Sequence, residues 1–447
     1  MSKDTEKTKT EQSANIVSWQ IEEKLLAYFG DLLRWLDQAI DRRLVVTFVG
    51  LMMAMIIHRH RNEGGWMSQL GSYLVPENAE AGKKRIQKLL YSQKWASGVL
   101  EKYLWHLGEQ RVAAGEQAGE TMLAIWDESV VEKSEALKLE GLGSVRSSKA
   151  VRLKRIKPGY FNPPGGRPII VPGFHWLQVL ICGMKGSLVP AHTRFWSNRG
   201  EQASTRREEE GQVLQELADR FRAQVIHVFD RGFAGSPWLT SLFVAGVRFV
   251  LRWPHKYRLL DENGIEKKAW EIARGKRSWE QRMIWDARRH CHRKIGILAF
   301  AVFDPAHHQP LWLVISRQGP GKKPWYLLTS EPVYTAEQAF HVILIYARRW
   351  QIEMSLRFDK TELGFESLRA FSWEVRQRLF LILALVHAFF LRFLAPDFDA
   401  LRDYLLNVWC HRNGERSRLV QAPLYRLRFA LAFFWLRFPP PLLARLN

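Results

Sequence analysis

The stretch Tyr346–Lys360, YARRWQIEMSLRFDK, combines a helical pattern with an unusual set of polar side chains. Tyr346, Arg349, Glu353 and Lys360 follow one another at intervals of three, four and seven residues. At about 100° per residue they fall within roughly 60° of one another on an α-helix. One helix face would then carry a carboxylate suited to a hard cation such as Mg²⁺ and three donors suited to a phosphodiester. The plainer interpretation is an exposed face with an Arg349–Glu353 ion pair.

The overall charge favours a polyanionic partner. Sixty-six Lys and Arg against 45 Asp and Glu give a formal charge of +21, so nucleic acid is the first candidate and an anionic membrane the alternative. The two longest nearly apolar runs, 44–57 and 379–391, are shorter than the ~20 residues that span a bilayer, which predicts buried helices and no membrane partner. Residues 1–17 are polar and lack a signal segment, which predicts a disordered tail and a cytoplasmic protein.

Residues 18–115 have helical periodicity and no strand-like run, which predicts a helical domain. Within it, Pro76 and Asn78 precede a short helix with a crowded basic face. The basic side chains of that helix are Lys83, Lys84, Arg85 and Lys88. This pattern suits a recognition helix in a DNA groove, and it suits a merely solvated basic face equally well.

Two compact apolar runs are each followed by an aspartate. Met122–Trp126 precedes Asp127, and Val225–Phe229 precedes Asp230. Each run predicts a buried strand, and the carboxyl ends of central strands are where α/β proteins build their sites. The alternative for Asp127 is that it opens a turn or caps a helix.

The middle of the chain contains a basic segment and then a strand-rich one. Between Glu140 and Glu201 there are ten Lys and Arg and no acidic residue, which indicates a surface that faces phosphates. In the segment 252–332, apolar and polar residues alternate in several short runs, which predicts a small all-β insertion. Its alternating runs are 269–272, 283–285, 295–303 and 311–315. Asp304 also ends a predicted strand, but Pro305 follows it directly and it lies in the inserted segment, so we do not assign it to the site.

The three remaining carboxylates, Asp127, Asp230 and Glu353, suggest phosphodiester chemistry. Two strand ends and a nearby helix can hold two divalent cations about 3.5–4 Å apart, one activating a water or a 3′-hydroxyl and the other stabilising the departing oxygen. Because the transition state spreads charge over phosphate oxygens, positioning and electrostatics supply most of the catalysis. A basic protein provides both.

At this point the chain resembles the DDE transposases of bacterial cut-and-paste insertion sequences. The three carboxylates follow the family's order, and the four polar residues of the opening stretch match its Tyr-Arg-Glu-Lys signature at every spacing. The similarity extends upstream through WYLLTSEPV (325–333), and the strands and insertion follow the same order from about Thr121 to Leu394.

The resemblance implies an α/β fold: a ribonuclease-H-like catalytic core with an all-β insertion, flanked by N-terminal and C-terminal α-helical regions. The expected boundaries are 1–17 for the disordered tail, 18–115 for a helical DNA-binding domain, 116–251 with 333–395 for the catalytic domain, 252–332 for the insertion and 396–447 for a C-terminal helical region that can mediate dimerisation.

The resemblance also implies roles for individual residues. Tyr346, Arg349 and Lys360 would grip phosphates near a base flipped out at the transposon end while a DNA hairpin forms and opens. Trp325 would stack on that base, since a flipped base must recover stacking energy of a few kcal/mol; the alternative is a core tryptophan. Glu128 is a possible but less favoured metal ligand.

The function implied is end cleavage and strand transfer. The expected cofactors are two Mg²⁺, with Mn²⁺ as a substitute, bound by the three carboxylates. The expected partners are double-stranded DNA, as terminal inverted repeats and target, and a second copy of the chain in a homodimer, acting at the bacterial nucleoid. The alternatives are a catalytically silent DNA-binding regulator or domesticated transposase, and a nuclease of the same fold that never joins strands.

Overall fold

The structure, a computed structural model, describes residues 2–58, 66–133, 136, 138–150, 168–286, 291–319, 323–368, 370–411, 414–418, 420 and 422–446. Its α-helices span Ser2–Tyr28, Gly30–Ala39, Arg42–Ile57, Trp66–Leu74, Ala79–Leu90, Gly98–Gln117, Arg206–Phe221, Ser236–Val244, Ala269–Ile272, Ala336–Arg348, Trp350–Thr361, Trp373–Arg392, Asp399–Tyr404, Glu415–Arg418, Leu424–Arg437 and Pro441–Leu446, with a π-helical turn at Leu405–Trp409.

The strands are β1 (Met122–Glu132), β2 (Gly143–Arg146), β3 (Ile170–Gly183), β4 (Val189–Trp196), β5 (Val225–Phe229), β6 (Arg248–Arg252), β7 (Arg258–Leu260), β8 (Glu266–Lys268), β9 (Glu280–Asp286), β10 (Cys291–Phe303), β11 (Pro310–Arg317) and β12 (Trp325–Thr329). Within the described residues they form one sheet in the order β2-β3-β1-β5-β6-β12-β11-β10-β7-β8, with β4 paired to β3 and β9 to β10.

The centre of this sheet is mixed in direction. β1, β5 and β6 are parallel to one another, whereas β3 and β4 are antiparallel neighbours on the other side of β1. The carboxyl ends of β1, β5 and β6 therefore face the same edge of the sheet. Polar residues that follow these strands are brought together there.

Helices cover both faces of the sheet because side chains alternate along each strand. Ile125 of β1 packs into a core shared with the apolar helix Trp373–Arg392. Its neighbour Trp126 packs into a second core, shared with the helix Arg206–Phe221. β1 is thus buried from both sides, as a central strand with an unbroken apolar run should be.

The inserted segment extends the central sheet and is not built of strands alone. β12 pairs with β6 on one side and with β11 on the other, so the ladder continues into the insertion without a break. The predicted strand at 269–272 is wrong, because the structure has a short helix, Ala269–Ile272. Its start is fixed by the backbone amide of Lys268, which donates to the Glu271 carboxylate at 2.8 Å, and Ala269 and Ile272 are both buried one turn apart.

The predicted disordered tail at 1–17 is also different in the structure, where a helix begins at Ser2. The helix is anchored through Ala14 and Ser18, which are buried. A prediction based on the polar composition of this segment does not detect a helix that is buried on one side only.

Both apolar runs are buried helices, as predicted: Arg42–Ile57 and Trp373–Arg392 have almost continuous buried side chains. Among the described residues, no single helix passes a length and composition test for crossing a bilayer; Trp373–Arg392 passes only when joined to 396–409 across a bend of 86°.

The N-terminal and C-terminal helical regions pack on each other. The Ser18 hydroxyl donates to the Phe438 carbonyl at 2.8 Å, and the Glu22 carboxylate accepts from the Leu442 amide at 3.1 Å. Arg428 donates to the carbonyl of His58 at the end of the buried helix Arg42–Ile57. The two ends of the chain therefore close over a common core.

Candidate active site

The stretch Tyr346–Lys360 forms two helices and not the single helix predicted. The first ends at Arg348 and the second begins at Trp350, with Arg349 at the junction. Arg349 keeps helical dihedral angles (φ −54°, ψ −31°), so the polar side chains before and after it still face the same region. Its side chain is buried and directed at β1, which the helical spacing alone does not predict.

Asp127 does not end β1, contrary to the prediction. β1 continues to Glu132, paired with β3 along its length, and Asp127 lies opposite Gln178. The parallel pairing of β1 with β5, however, stops at Ile125. Asp127 therefore lies just beyond the parallel ladder, where the neighbouring strand has ended and the edge of the sheet is open.

Asp230 follows β5 directly, as predicted. Its carboxylate accepts a hydrogen bond from the amide of Gly232 and thereby caps the short 3₁₀ turn Arg231–Phe233. A Cβ at Gly232 would lie 2.8 Å from Asp230 Oδ1, so only glycine leaves this carboxylate its space. Asp230 thus occupies a strand end and organises a turn at once.

The carboxylates interact around Asp127. Burial raises the pKa of Asp127 to about 7, with Asp230 and Glu353 adding to the rise and Arg349 opposing it. Like charges have this effect only when they are close. Asp230 and Glu353 therefore lie near enough to Asp127 for their charges to act on it.

Arg349 lies between two of these carboxylates. One terminal nitrogen is 3.6 Å from Asp127 Oδ2, and the other donates to Glu353. Burial acts to lower the pKa of Arg349, but Tyr346, Asp127 and Glu353 outweigh it and raise the pKa. The Arg349–Glu353 pair expected on an exposed face is present, but its arginine is buried and also contacts the strand.

Tyr346 and Trp325 meet beside this cluster. Their rings are 5.1 Å apart between centroids in an edge-to-face arrangement, with Tyr346 buried and Trp325 half-buried. Burial raises the pKa of Tyr346, while Arg349 and Arg252 act against the rise. The predicted stacking tryptophan therefore touches the first residue of the signature.

Lys360 is the fourth signature residue at the site. Burial lowers its pKa, and the nearby Glu366, Glu132 and Asp127 oppose the change. Lys360 thus lies among carboxylates, of which Glu366 acts on it more strongly than Asp127 does.

Arg252 is a site residue that the sequence analysis missed. It ends β6, and because Phe229 of β5 pairs with Leu251, Arg252 lies at the strand end next to Asp230. Its charge also acts on the phenol of Tyr346. The sequence does contain a signal for Arg252, because this residue follows a compact apolar run as Asp127 and Asp230 do.

Glu128 belongs to a different cluster. Its carboxylate lies 2.6 Å from Arg206, whose guanidinium also contacts the fully buried Glu210 at 2.8 Å. Burial raises the pKa of Glu128 to about 8, against the effect of Arg206. Glu128 therefore joins β1 to the helix Arg206–Phe221.

The basic helix Ala79–Leu90 belongs to the helical region and not to the Asp127 site. Asn78 caps it by accepting from the Ala81 amide at 3.0 Å, and it packs closely on Trp66–Leu74, where a Cβ at Gly82 would lie 2.1 Å from the Gly71 carbonyl oxygen. Of the four predicted residues, Lys84, Arg85 and Lys88 are exposed, while Lys83 pairs with Glu80 at 3.3 Å. Part of the other basic segment, 151–167, lies outside the described residues.

The donor chemistry of the site fits a hard divalent cation. Within the part of the chain that the structure describes, no group of three or more His, Cys, Asp or Glu side chains converges closely enough to hold a metal ion. Asp127, Asp230 and Glu353 nevertheless supply the carboxylate oxygens that Mg²⁺ prefers. The buried guanidinium of Arg349 lies where positive charge is needed between two of them.

Of the comparisons with known proteins, a family match over part of the chain bears on function. No curated protein matches the chain. Among solved structures, it is similar to a piggyBac transposase in a cryo-EM synaptic complex with hairpin DNA, at 11% identity over 96% of this chain and 82% of that one; a TM-score of 0.42 is too low to establish a common fold. Residues 197–389 match the family model described as a transposase DDE domain, a segment that includes Asp230 and Glu353 but begins after Asp127. This family match supports a transposase.

Proposed function

We propose that the chain is a DNA transposase of the bacterial insertion-sequence type that uses Asp127, Asp230 and Glu353 as its catalytic carboxylates. The observation that carries the proposal is the meeting of these groups beyond the parallel pairing of β1 with β5, where Arg349 lies 3.6 Å from Asp127 and also contacts Glu353. Burial and the like charges of Asp230 and Glu353 raise the pKa of Asp127 there to about 7. The central order β4-β3-β1-β5-β6, antiparallel on one side of β1 and parallel on the other, supports a ribonuclease-H-like core.

In this proposal the three carboxylates hold two Mg²⁺, or Mn²⁺ in their place. When bound, such ions activate a water or 3′-hydroxyl and stabilise the departing oxygen. The chain's own contribution is to orient the carboxylates and to oppose, through a guanidinium, the rise that burial causes in the pKa of Asp127. Arg349 does this by its contacts with Asp127 and Glu353.

The same edge of the sheet would bind the reacting strand. Tyr346, Arg349 and Lys360 are proposed to contact phosphates, and Arg252 is added to them because it ends the strand beside Asp230. Guanidinium groups suit this task since they bind phosphate through two parallel hydrogen bonds. The DNA strand would therefore lie across the ends of β5 and β6.

Cleavage of the second strand is proposed to pass through a hairpin, with Trp325 stacking on the flipped base. The half-buried position of Trp325, edge-on to the phenol of Tyr346, supports this role because it puts the indole next to a proposed phosphate contact. Stacking on an aromatic side chain contributes ~1–3 kcal/mol per base.

Recognition of the element's ends is assigned to the helix Ala79–Leu90. It is the second helix of a pair joined by a four-residue turn, the arrangement of helix-turn-helix proteins. Lys84 and Lys88 are exposed on it and free of the core that its apolar face enters. The partners are the terminal inverted repeats and target DNA of the bacterial nucleoid.

A homodimer would hold two ends together. Exposed apolar side chains near the C-terminus support a contact there, since they occur together on the segments Leu405–Trp409 and Leu424–Arg437. Val408, Phe433 and Leu436 are 62%, 45% and 48% exposed.

The test is a cleavage assay with purified protein, Mg²⁺ and DNA that carries the element's own ends, taken from the sequence flanking the gene. The wild type is expected to nick, form hairpins and join 3′ ends to a target duplex. Asp127→Ala, Asp230→Ala and Glu353→Ala are each expected to abolish all three steps while end binding persists. Cleavage without joining would indicate a nuclease, binding without cleavage would indicate a regulator, and three active variants would refute the site.

A further inference from the structure

A second cleft opens on the insertion side of the candidate active site. It has a volume of about 380 Å³ and lies between the start of the helix Ser236–Val244, the segment 253–258 and the turn 304–306. Its size falls in the range of small-ligand sites, ~300–1,000 Å³. None of the contacts proposed above lies in it.

The cleft is lined by residues that follow the candidate active site closely in the chain. Asp230 and Arg252 follow β5 and β6, neighbouring strands ~4.8 Å apart. From these two residues the chain leads directly into the cleft, through the turn to Gly235 on one side and to Trp253 on the other. A strand held at Asp230 and leaving toward the insertion would meet this cleft next.

The polar groups of the cleft suit an anion. Lys256 is exposed and has no carboxylate partner among the described residues, while Arg258 pairs with Glu266 at 3.2 Å. The helix that starts at Ser236 has no side-chain cap, which leaves the positive end of its dipole toward the cleft. Trp253 also lines the cleft; it is 4% exposed, and its buried indole N–H has no hydrogen-bond acceptor among the described residues.

The one acidic side chain in the lining does not oppose an anion. Asp304 is buried, and its carboxylate accepts hydrogen bonds from the amides of Ala306 and His307 at 3.2 and 2.9 Å. It also lies 2.6 Å from the His307 ring nitrogen. The negative charge of Asp304 is therefore stabilised by groups of the turn 304–307.

An aromatic surface lies beside these cations. Tyr257 is 46% exposed, and its ring meets Trp253 edge-to-face at 5.5 Å between centroids. The buried indole supports the phenol from one side and leaves much of it open to a ligand. Cations next to an accessible aromatic ring are the features with which proteins hold single-stranded nucleic acid.

We propose that this cleft binds one nucleotide of the DNA strand that continues past the reactive phosphate. Lys256 and the start of the helix at Ser236 hold its phosphate, and Tyr257 stacks on its base. The inference rests on the proposed function, because a strand is led into the cleft only if its phosphate reacts at Asp230. The strand is either DNA flanking the element or target DNA, which offer the same chemistry.

The test compares Tyr257→Ala and Lys256→Gln with wild type in the full-length protein. One measurement is the affinity for flush element ends and for ends extended by flanking DNA. The other is the affinity with which the protein bound to cleaved ends captures an unrelated target duplex. Trp279→Ala and Lys276→Gln are matched controls, since both side chains are exposed in the insertion and outside the cleft.

The wild type is expected to bind extended ends or target more tightly than flush ends. Each cleft variant is expected to bind these extended ends or this target about tenfold more weakly than the wild type does. Tyr257→Phe should retain the wild-type affinity, the controls should be unchanged, and all variants should melt as the wild type does. A loss confined to extended ends assigns the strand to flanking DNA, and a loss confined to target capture assigns it to target.

Equal behaviour of cleft and control variants, in a protein that still cuts its ends, would overturn the cleft alone. A wild type that neither cuts nor binds the ends would overturn the proposed function together with this inference.

Discussion

Asp127 is the residue on which the chemistry of the site depends most. Its side chain is only 18% exposed, and two further carboxylates act on it while one guanidinium lies 3.6 Å away. A carboxylate in such a place is short of positive charge, which a divalent cation would supply. Its raised pKa supports the catalytic role proposed for it, since perturbed groups are frequent at functional sites.

The raised pKa predicts how stability varies with pH in the absence of divalent cations. The folded protein keeps the Asp127 proton up to about pH 7, whereas an unfolded chain loses it near 3.8, so this carboxyl favours the folded state less as pH rises between those values. Asp127→Asn removes the linkage. Its free energy of unfolding relative to wild type should rise from acid to about pH 7 and then level off, as measured by urea denaturation with EDTA. A pH-independent difference between the two proteins would contradict the assignment.

Trp325 provides a prediction about individual steps. Trp325→Ala should slow hairpin formation more than the first nick, because only the hairpin requires a base to leave the stack. The rates are measured by quenched time courses on labelled ends. Trp312→Ala is the control, since this half-buried tryptophan contacts Tyr334 and not Tyr346. If both steps slow equally in Trp325→Ala, the indole has a structural role.

Among individual residues, the sequence predicted those that lie close to one another in the chain. The four signature residues were identifiable from helical periodicity, and the structure brings them to Asp127. The link between Glu128 and Arg206 joins residues far apart in the chain, and nothing in the sequence marks it. Arg252 follows an apolar run as the aspartates do, but an arginine is not a metal ligand, and its effect on Tyr346 joins residues far apart in the chain.

A buried polar network fixes the helix Trp350–Thr361 on the sheet. Gln178, which lies opposite Asp127, donates to Asp359 at 3.2 Å and accepts from Ser355 at 3.2 Å. His387 of the apolar helix lies 2.7 Å from Asp359, and both side chains are fully buried. The helix that carries Glu353 is thereby held against β3, the neighbour of the strand that carries Asp127.

Breaking this network should destabilise the protein strongly. Asp359→Ala removes the carboxylate beside His387 and the acceptor of the Gln178 amide NH₂, and it should cost about 3–5 kcal/mol of unfolding free energy. Thr361→Ala, at the exposed end of the same helix, should change it by less than about 0.5 kcal/mol. Both values come from chemical denaturation. Similar small effects of the two substitutions would mean that the network does not anchor the helix.

The elements themselves were predicted well where burial on both sides makes the apolar pattern continuous. β5 begins and ends where its apolar run does, but β1 runs on past Asp127 because pairing with β3 continues there. The helix is interrupted at Arg349, where the backbone amide donates to the carbonyl of Tyr346, three residues back, at 3.1 Å. Local periodicity predicts neither feature.

The whole molecule is strongly basic, and its DNA binding should depend steeply on salt. Each phosphate neutralised contributes a slope of about −0.9 in log K against log salt. Lys84→Gln combined with Lys88→Gln should reduce the slope by about 2, as measured by fluorescence anisotropy on end DNA. Lys24→Gln is the control, because Lys24 pairs with Asp397 at 3.6 Å. A slope unchanged by the double substitution would remove this helix from the interface.

For the whole molecule, the sequence predicted the type of secondary structure in each region better than it predicted how the regions pack on one another. The helical character of both ends was foreseen, but their packing on each other through Glu22 and Leu442 was not, because residues so distant share no local pattern. The continuity of the insertion with the central sheet was missed for the same reason, since the pairing of β12 with β6 joins 325–329 to 248–252.

The most direct test of the central claim is a Mn²⁺ titration of the protein bound to end DNA, followed by calorimetry. The account predicts that the wild type binds Mn²⁺ and that Asp127→Asn, Asp230→Asn and Glu353→Gln each weaken this binding by at least about tenfold, whereas Asp304→Asn, a carboxylate outside the site, does not. Mn²⁺ binding that is unchanged in all three site variants would contradict the account.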